Sequence, residues 1–144
     1  MNKVWQILKV KGNQVWTISE DSTVLEALKL MAEKQLGSLV VMNADRAVGI
    51  FSERDYARRV ELAGKKSDIT RVGEVMTKDL ITVSPDQSVR ECMEIMTEKH
   101  VRHLPVFEGD QLIGLVSIGD IVKDMIGELE FMVDQLQNYI LGLR

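Results

Sequence analysis

Ser52 and Asp55 lie in the stretch "GIFSERD" (Gly49–Asp55), and Ser117 and Asp120 lie in "GLVSIGD" (Gly114–Asp120). Both stretches have glycine, two apolar residues, serine, two variable residues and aspartate. Ser-x-x-Asp ahead of an amphipathic run is a helix N-terminal signal: the hydroxyl caps a backbone N–H, and the carboxylate sits where the helix dipole favours negative charge. The same arrangement can take a ligand. A helix N-terminus with unpaired N–H groups attracts an anion such as phosphate. A short carboxylate one turn along can accept hydrogen bonds from two neighbouring hydroxyls, as on a ribose. The flanking residues diverge, Glu53-Arg54 in one copy against Ile118-Gly119 in the other, yet glycine, serine and aspartate coincide. Capping alone would accept Thr or Asn for the serine. Capping and ligand binding both stand as readings of the motif.

Other chemistry has less support. His100 and His103 form an H-x-x-H pair with no further ligand cluster beside it, so no metal site is expected. Neither serine sits in G-x-S-x-G and there is no Walker A lysine motif, so the chain is read as a non-enzyme with no catalytic residues. Arg54, Arg58, Arg59, Lys65, Lys66 and Arg71 make a locally basic run interrupted by acidic residues, read as a solvated face. Cys92 falls on an apolar stripe and reads as a small core residue.

The elements that must hold these motifs come from a repeat. A shift of 65 places sets Val15–Val60 against Leu80–Met125 without a gap, and fourteen pairs are identical. Upstream, "VWQIL" (Val4–Leu8) lies opposite "VGEVM" (Val72–Met76) at a shift of 68. In each copy a β-branched run, "VWTIS" or "LITVS", predicts a strand. Thr23 with Glu26, and Ser88 with Glu91, predict capped helices. Their buried stripes are Val24, Ala27, Leu28 and Met31 in one, and Val89, Cys92, Met93 and Met96 in the other. Two apolar runs joined by turn residues then predict a hairpin, with the motif glycine ending its second strand, and a second helix starts at Ser52 or Ser117. The unit is β-α-β-β-α, made twice, and the fold class is α/β (α+β). The expected division is residues 1–66, 67–126 and a C-terminal helical extension, 127–144. In the extension, Leu129, Met132, Val133, Leu136, Tyr139, Ile140 and Leu143 fall at helical spacing.

The totals narrow the class. A chain of 144 residues, 45% hydrophobic, is long enough for a core, and with 5% aromatics its aliphatic residues and eight methionines must fill it. The net charge of −4 disfavours nucleic-acid binding. A single cysteine suits a reducing compartment. No signal peptide and no membrane-length apolar run are visible, so a cytoplasmic location is expected.

The tandem units, the paired "GIFSERD"/"GLVSIGD" motif and "HVRHLPV" (His100–Val106) together resemble a pair of CBS domains, the Bateman module, over Val4 to Ile126. That resemblance implies two units about a pseudo-twofold axis, with clefts that bind adenosine-containing ligands. These are AMP, ADP or ATP, and in some members NAD(H) or S-adenosylmethionine; no catalytic cofactor is implied. Carried onto this sequence, a first site takes Ser52 and Asp55 for phosphate and ribose and Leu80 and Ile81 beside the base. Val101, Arg102 and His103 lie nearby, the two basic residues toward phosphate. A second site takes Ser117 and Asp120, Val15 and Trp16 beside the base, and Leu36, Gly37 and Ser38. Arg54 stands there where some members carry a phosphate-reaching lysine. The resemblance also implies a regulatory adenine-nucleotide sensor, a homodimer, acting in trans on an unidentified protein effector. The competing reading is a ligand-independent interaction module with empty clefts.

Overall fold

The structure is a computed structural model and describes residues 2–142. Its elements are α1 (Val4–Lys11), β1 (Thr17–Ser19), α2 (Val24–Lys34), β2 (Ser38–Asn43), β3 (Arg46–Ser52), α3 (Glu53–Asp55) running on into a π-helical turn (Tyr56–Glu61), α4 (Val72–Val75), α5 (Val89–Lys99), β4 (His103–Glu108), β5 (Gln111–Ser117) and α6 (Ile118–Ile140). Both copies thus show the helix, hairpin and second helix expected of them.

The chain forms two compact units whose ends do not follow the repeats. A central unit is Gln14–Ile81; a split unit joins the segment ending at Asn13 to the chain from Thr82 onward. The 66/67 boundary expected from sequence therefore falls inside the central unit. Backbone hydrogen bonding gives the reason. In the central unit Val72 N–H donates to Ser22, Gly73 N–H to Glu20, and Val24 N–H to Thr70. In the split unit Val4 N–H donates to Gln87, Trp5 N–H to Pro85, and Val89 N–H to Asn2. The two sets match bond for bond at the repeat offsets. The short helix upstream of each copy belongs to the unit built on the other copy.

In the central unit, β1 pairs parallel with β2, which pairs antiparallel with β3. Behind this sheet Val24, Ala27 and Met31 of α2 join Leu39, Val41, Phe51, Val60, Val72, Val75 and Met76 in one core. Thr23 caps α2 by accepting from the Glu26 N–H at 3.1 Å. In the split unit, Ser88 caps α5 by accepting from the Glu91 N–H at 3.0 Å. Val89, Cys92 and Met96 of α5 are buried, as are Leu104, Val106, Val116 and Ile121.

The strand expected at "LITVS" is reduced to one parallel bridge, Val83 to Val106. The two prolines of the chain account for this. In the central unit the Glu20 N–H donates to Met42; Pro85 stands at Glu20's repeat position and has no N–H. Pro105 stands at the position of Val40, which pairs with Thr17, and likewise cannot donate. "VWTIS" also forms only its last three residues as strand, with Val15 and Trp16 ahead of it.

The motif glycine does not end its strand, as expected from sequence, but lies within it. Gly49 pairs with Val41 and Gly114 with Val106, each beside the same one-residue bulge. A methyl group at Gly49 would come 2.5 Å from the Thr77 carbonyl oxygen and 2.8 Å from Met76 Sδ. Only a bare backbone lets Ile50 and Thr77 exchange N–H···O bonds, both 2.9 Å. At Gly114 the same methyl would meet the Leu8 side chain at 2.6 Å. We expect Gly49→Ala to cost about 3 kcal/mol in denaturant unfolding, the upper end for overpacking, and Gly114→Ala less, because a side chain yields more readily than a carbonyl. Equal losses would contradict the assignment.

Candidate functional site

Each motif ends its hairpin in a reciprocal cap. In the central unit Ser52 Oγ accepts from the Asp55 N–H at 3.2 Å, while Asp55 Oδ2 accepts from the Ser52 N–H at 2.9 Å and from its hydroxyl at 3.1 Å. In the split unit Ser117 Oγ accepts from the Asp120 N–H at 3.1 Å, and Asp120 Oδ2 accepts from the Ser117 N–H at 2.9 Å. The capping reading of the motif is therefore correct in both copies.

What differs is the second partner of each carboxylate. Thr77 donates its hydroxyl to Asp55 Oδ1 at 2.9 Å, and the Arg59 guanidinium stands 4.0 Å from the same oxygen. Arg59 is itself tied to the Met76 carbonyl at 2.8 Å. Asp55 is left with a side-chain exposure of 8%. Asp120 instead receives the Lys11 ammonium on Oδ2 at 2.6 Å, and Lys11 also donates to the Leu115 carbonyl at 2.8 Å. Its side chain is 22% exposed against 8% for Asp55, and its described side-chain partners meet Oδ2, so more of the carboxylate faces solvent. Lys11 and Thr77 were not singled out in the sequence. Both come from the segment upstream of the other copy, and only the offset of 68 hinted that this segment repeats.

The remaining candidates fall out by unit. Ser52, Asp55, Leu80, Ile81, Val15, Trp16, Leu36, Gly37, Ser38 and Arg54 belong to the central unit, and Val101, Arg102, His103, Ser117 and Asp120 to the split unit. Within the central unit Ser38 pairs with Ser52 across the hairpin, and the Gly37 carbonyl accepts from the Glu53 N–H at 3.1 Å. The Ser38 hydroxyl is buried and has no hydrogen-bond partner among the described residues. Trp16 packs on the edge of the central core with the Lys34 ammonium 4.4 Å from its ring centroid, a cation–π contact. Within the split unit His103 pairs with Ser117, and the Arg102 carbonyl accepts from the Ile118 N–H at 2.8 Å. Lys11, Arg102 and His103 thus gather at the Ser117–Asp120 cap. His100 is the left-handed residue that ends α5, at φ 56°. Cys92 is buried, which with the Glu91 charge pushes its thiol up to about 11 and keeps it protonated. The basic residues Arg54, Arg58, Lys65 and Lys66 are exposed, as a solvated face should be. Among the described residues no helix is long and apolar enough to cross a membrane.

The cluster sets a pH response. Burial lowers the pKa of His103, and the charges of Lys11 and Arg102 lower it further against the pull of Asp120. Burial opposes ionisation of Asp120, but the Lys11 hydrogen bond and the Ser117 cap outweigh it and leave its pKa below the usual value. Both shifts are downward, so in each window the unfolded chain binds more protons and acidification removes stability. For His103 the loss begins below the ordinary histidine value of about 6.5; for Asp120 it follows below the ordinary carboxylate range. We expect His103→Gln to remove the first step, seen as a flatter unfolding free energy between neutral pH and about pH 5. Superimposable profiles for variant and parent would contradict it.

Comparison with known proteins agrees with this architecture. The CBS domain family model matches residues 10–62 and 72–127. The mitochondrial CBS domain-containing protein CBSX3 of Arabidopsis thaliana is 38% identical over 136 residues, 91% of this chain, which spans 66% of that protein's length. A solved structure of a protein with CBS domains from Burkholderia ambifaria MC40-6 superposes with a TM-score of 0.85 at 49% identity, covering 88% of this chain and 95% of that one. The hexameric CBS-CP12 protein of bloom-forming cyanobacteria gives a TM-score of 0.76 at 31% identity, over 84% of this chain and 66% of that one. With its two matched stretches and its duplicated, reciprocally capped motif, this chain belongs to the CBS domain family as a tandem pair.

Proposed function

We propose that the chain is a regulatory sensor of adenine nucleotides, AMP, ADP or ATP, that works as a homodimer and acts on a separate protein partner in trans. Proteins of this family are generally regulatory, and the hexameric relative shows that one of its members self-associates. The observation that carries the reading is the Ser117–Asp120 cap, a partly open carboxylate ringed by Lys11, Arg102 and His103. A ribose diol on the carboxylate with phosphates among cations uses every group of that cluster. The unpartnered Ser38 hydroxyl supports the corresponding site of the other unit, since a buried hydroxyl left unpaired costs about 1–3 kcal/mol.

The mechanism follows from competition at Asp120. Lys11 ties the end of α1 to the start of α6 through this carboxylate. A ribose that takes the carboxylate displaces the ammonium, which turns toward phosphate, and α1 loses that tether. A ligand shifts such an equilibrium only by its difference in affinity for the two arrangements, and here the difference lies in which partner satisfies Asp120. The ligand-independent reading has one observation in its favour: without a ligand Asp55 already accepts hydrogen bonds from the Ser52 N–H, the Ser52 hydroxyl and the Thr77 hydroxyl.

Thermal unfolding with and without nucleotide separates the two. At about 100 times its dissociation constant a nucleotide should add roughly 2.7 kcal/mol of stability. Asp120→Asn is expected to abolish the increment from its site and Asp55→Asn that from the other, while Lys11→Met weakens phosphorylated ligands more than adenosine. No increment with any adenine nucleotide would leave the motif as a cap alone.

A further inference from the structure

The family match ends at residue 127, but α6 runs on to Ile140. Its first half is seated: Ile121 is buried, and Asp124, Met125 and Glu128 on the same face are partly covered. From Leu129 to Gly142 every described side chain is exposed. Three turns of helix with no packing of their own are marginal in water, because helices of that length draw their stability from a covered apolar face. The exposed face here is apolar, so it is built to be covered.

The spacing says by what. Ile126, Val133 and Ile140 recur every seven residues, and Val122, Leu129 and Leu136 recur every seven between them. Written as a heptad, the first set holds the a positions and the second the d positions. Branched residues at a with mainly leucine at d is the pattern that favours two parallel strands. These six side chains range from 47% to 77% exposed, with Met132 and Tyr139 flanking them at g. Together they offer on the order of 900 Å² of apolar surface, against the roughly 800 Å² each partner gives to a standard interface.

Charge excludes the other obvious occupant. Between Asp124 and Gly142 the helix carries Glu128, Glu130 and Asp134 and no lysine or arginine. An interfacial helix on an anionic bilayer needs the opposite. In a parallel pair the flanking positions beyond Lys123 hold one charge, Glu130, which faces the neutral Met125 position of the second helix, so no like charges meet.

We propose that the distal half of α6, from Ile126 onward, pairs with the same segment of a second copy of this chain as a short parallel coiled coil. It gives the dimer of the proposed function a surface and does not depend on nucleotide binding.

Sedimentation velocity of the full chain across a concentration series tests it. The parent is expected to sediment as a dimer, and Leu129→Glu with Leu136→Glu as a monomer, its dissociation constant weaker by more than tenfold. Both substituted side chains are exposed, so the double variant should keep its cooperative unfolding. A second variant, Ile140→Cys, introduces no charge: a parallel pair sets the two thiols face to face and links them on oxidation, and the buried Cys92 does not compete. A dimer that persists in the double variant overturns this surface while leaving the homodimer standing. A parent that is monomeric throughout overturns both, and absence of the Ile140→Cys crosslink overturns the parallel arrangement.

Discussion

One interaction at the end of each hairpin organises the rest of this molecule. A serine and the aspartate three residues on satisfy each other's backbone N–H groups, which turns the chain from strand into helix and fixes the carboxylate beside the strand end. Because the aspartate is the cap, it cannot swing away, and its remaining acceptor capacity points to a set place. Under the proposed function, structure and binding are therefore one requirement. The serine fixes the aspartate, and the aspartate is what a ligand or a neighbouring side chain then meets. The glycine at the head of the motif serves the same end, since in the central unit it lets Thr77 come close enough to bond the Asp55 carboxylate.

Duplication gave two such caps, and divergence in the upstream segments made them unequal. Thr77 gives Asp55 a neutral donor and a nearly closed carboxylate; Lys11 gives Asp120 a cation that a competing group can displace. A neutral hydroxyl held within the unit is a structural partner. A half-exposed ammonium on a flexible stem is a replaceable one, because its solvated alternative costs little. Under the proposed function the two carboxylates answer a ligand unequally, Asp120 more readily than Asp55.

Most of the fold was legible because it is local. The Thr23 and Ser88 caps and the apolar stripes of α2 and α5 each depend on residues within one or two turns; the caps appear as read, and the stripes do so with Leu28 and Met93 only partly buried. What failed was long-range. The second copy's first strand looked sound as "LITVS", but its rungs depend on N–H groups at positions 85 and 105, and both are proline. Repeat similarity gives the expected division, and the family model's two matched stretches follow it, whereas compactness follows hydrogen bonds from each upstream helix to the other copy. Lys11 and Thr77 were missed for the same reason: no local pattern marks a residue whose partner is 109 or 22 positions away. Leu143, expected on the apolar stripe of α6, lies outside the described residues.

The central claim is that the capped aspartates read a ribose diol. Calorimetric titration of the full chain with AMP and with 2′,3′-dideoxy-AMP tests it directly, because the two ligands share base and phosphate. Hydrogen bonds to a charged acceptor contribute roughly 1.5–3 kcal/mol, so loss of the diol should weaken binding by at least about tenfold. Equal affinities for the two ligands would mean that neither Asp55 nor Asp120 touches the sugar, and the account would fall.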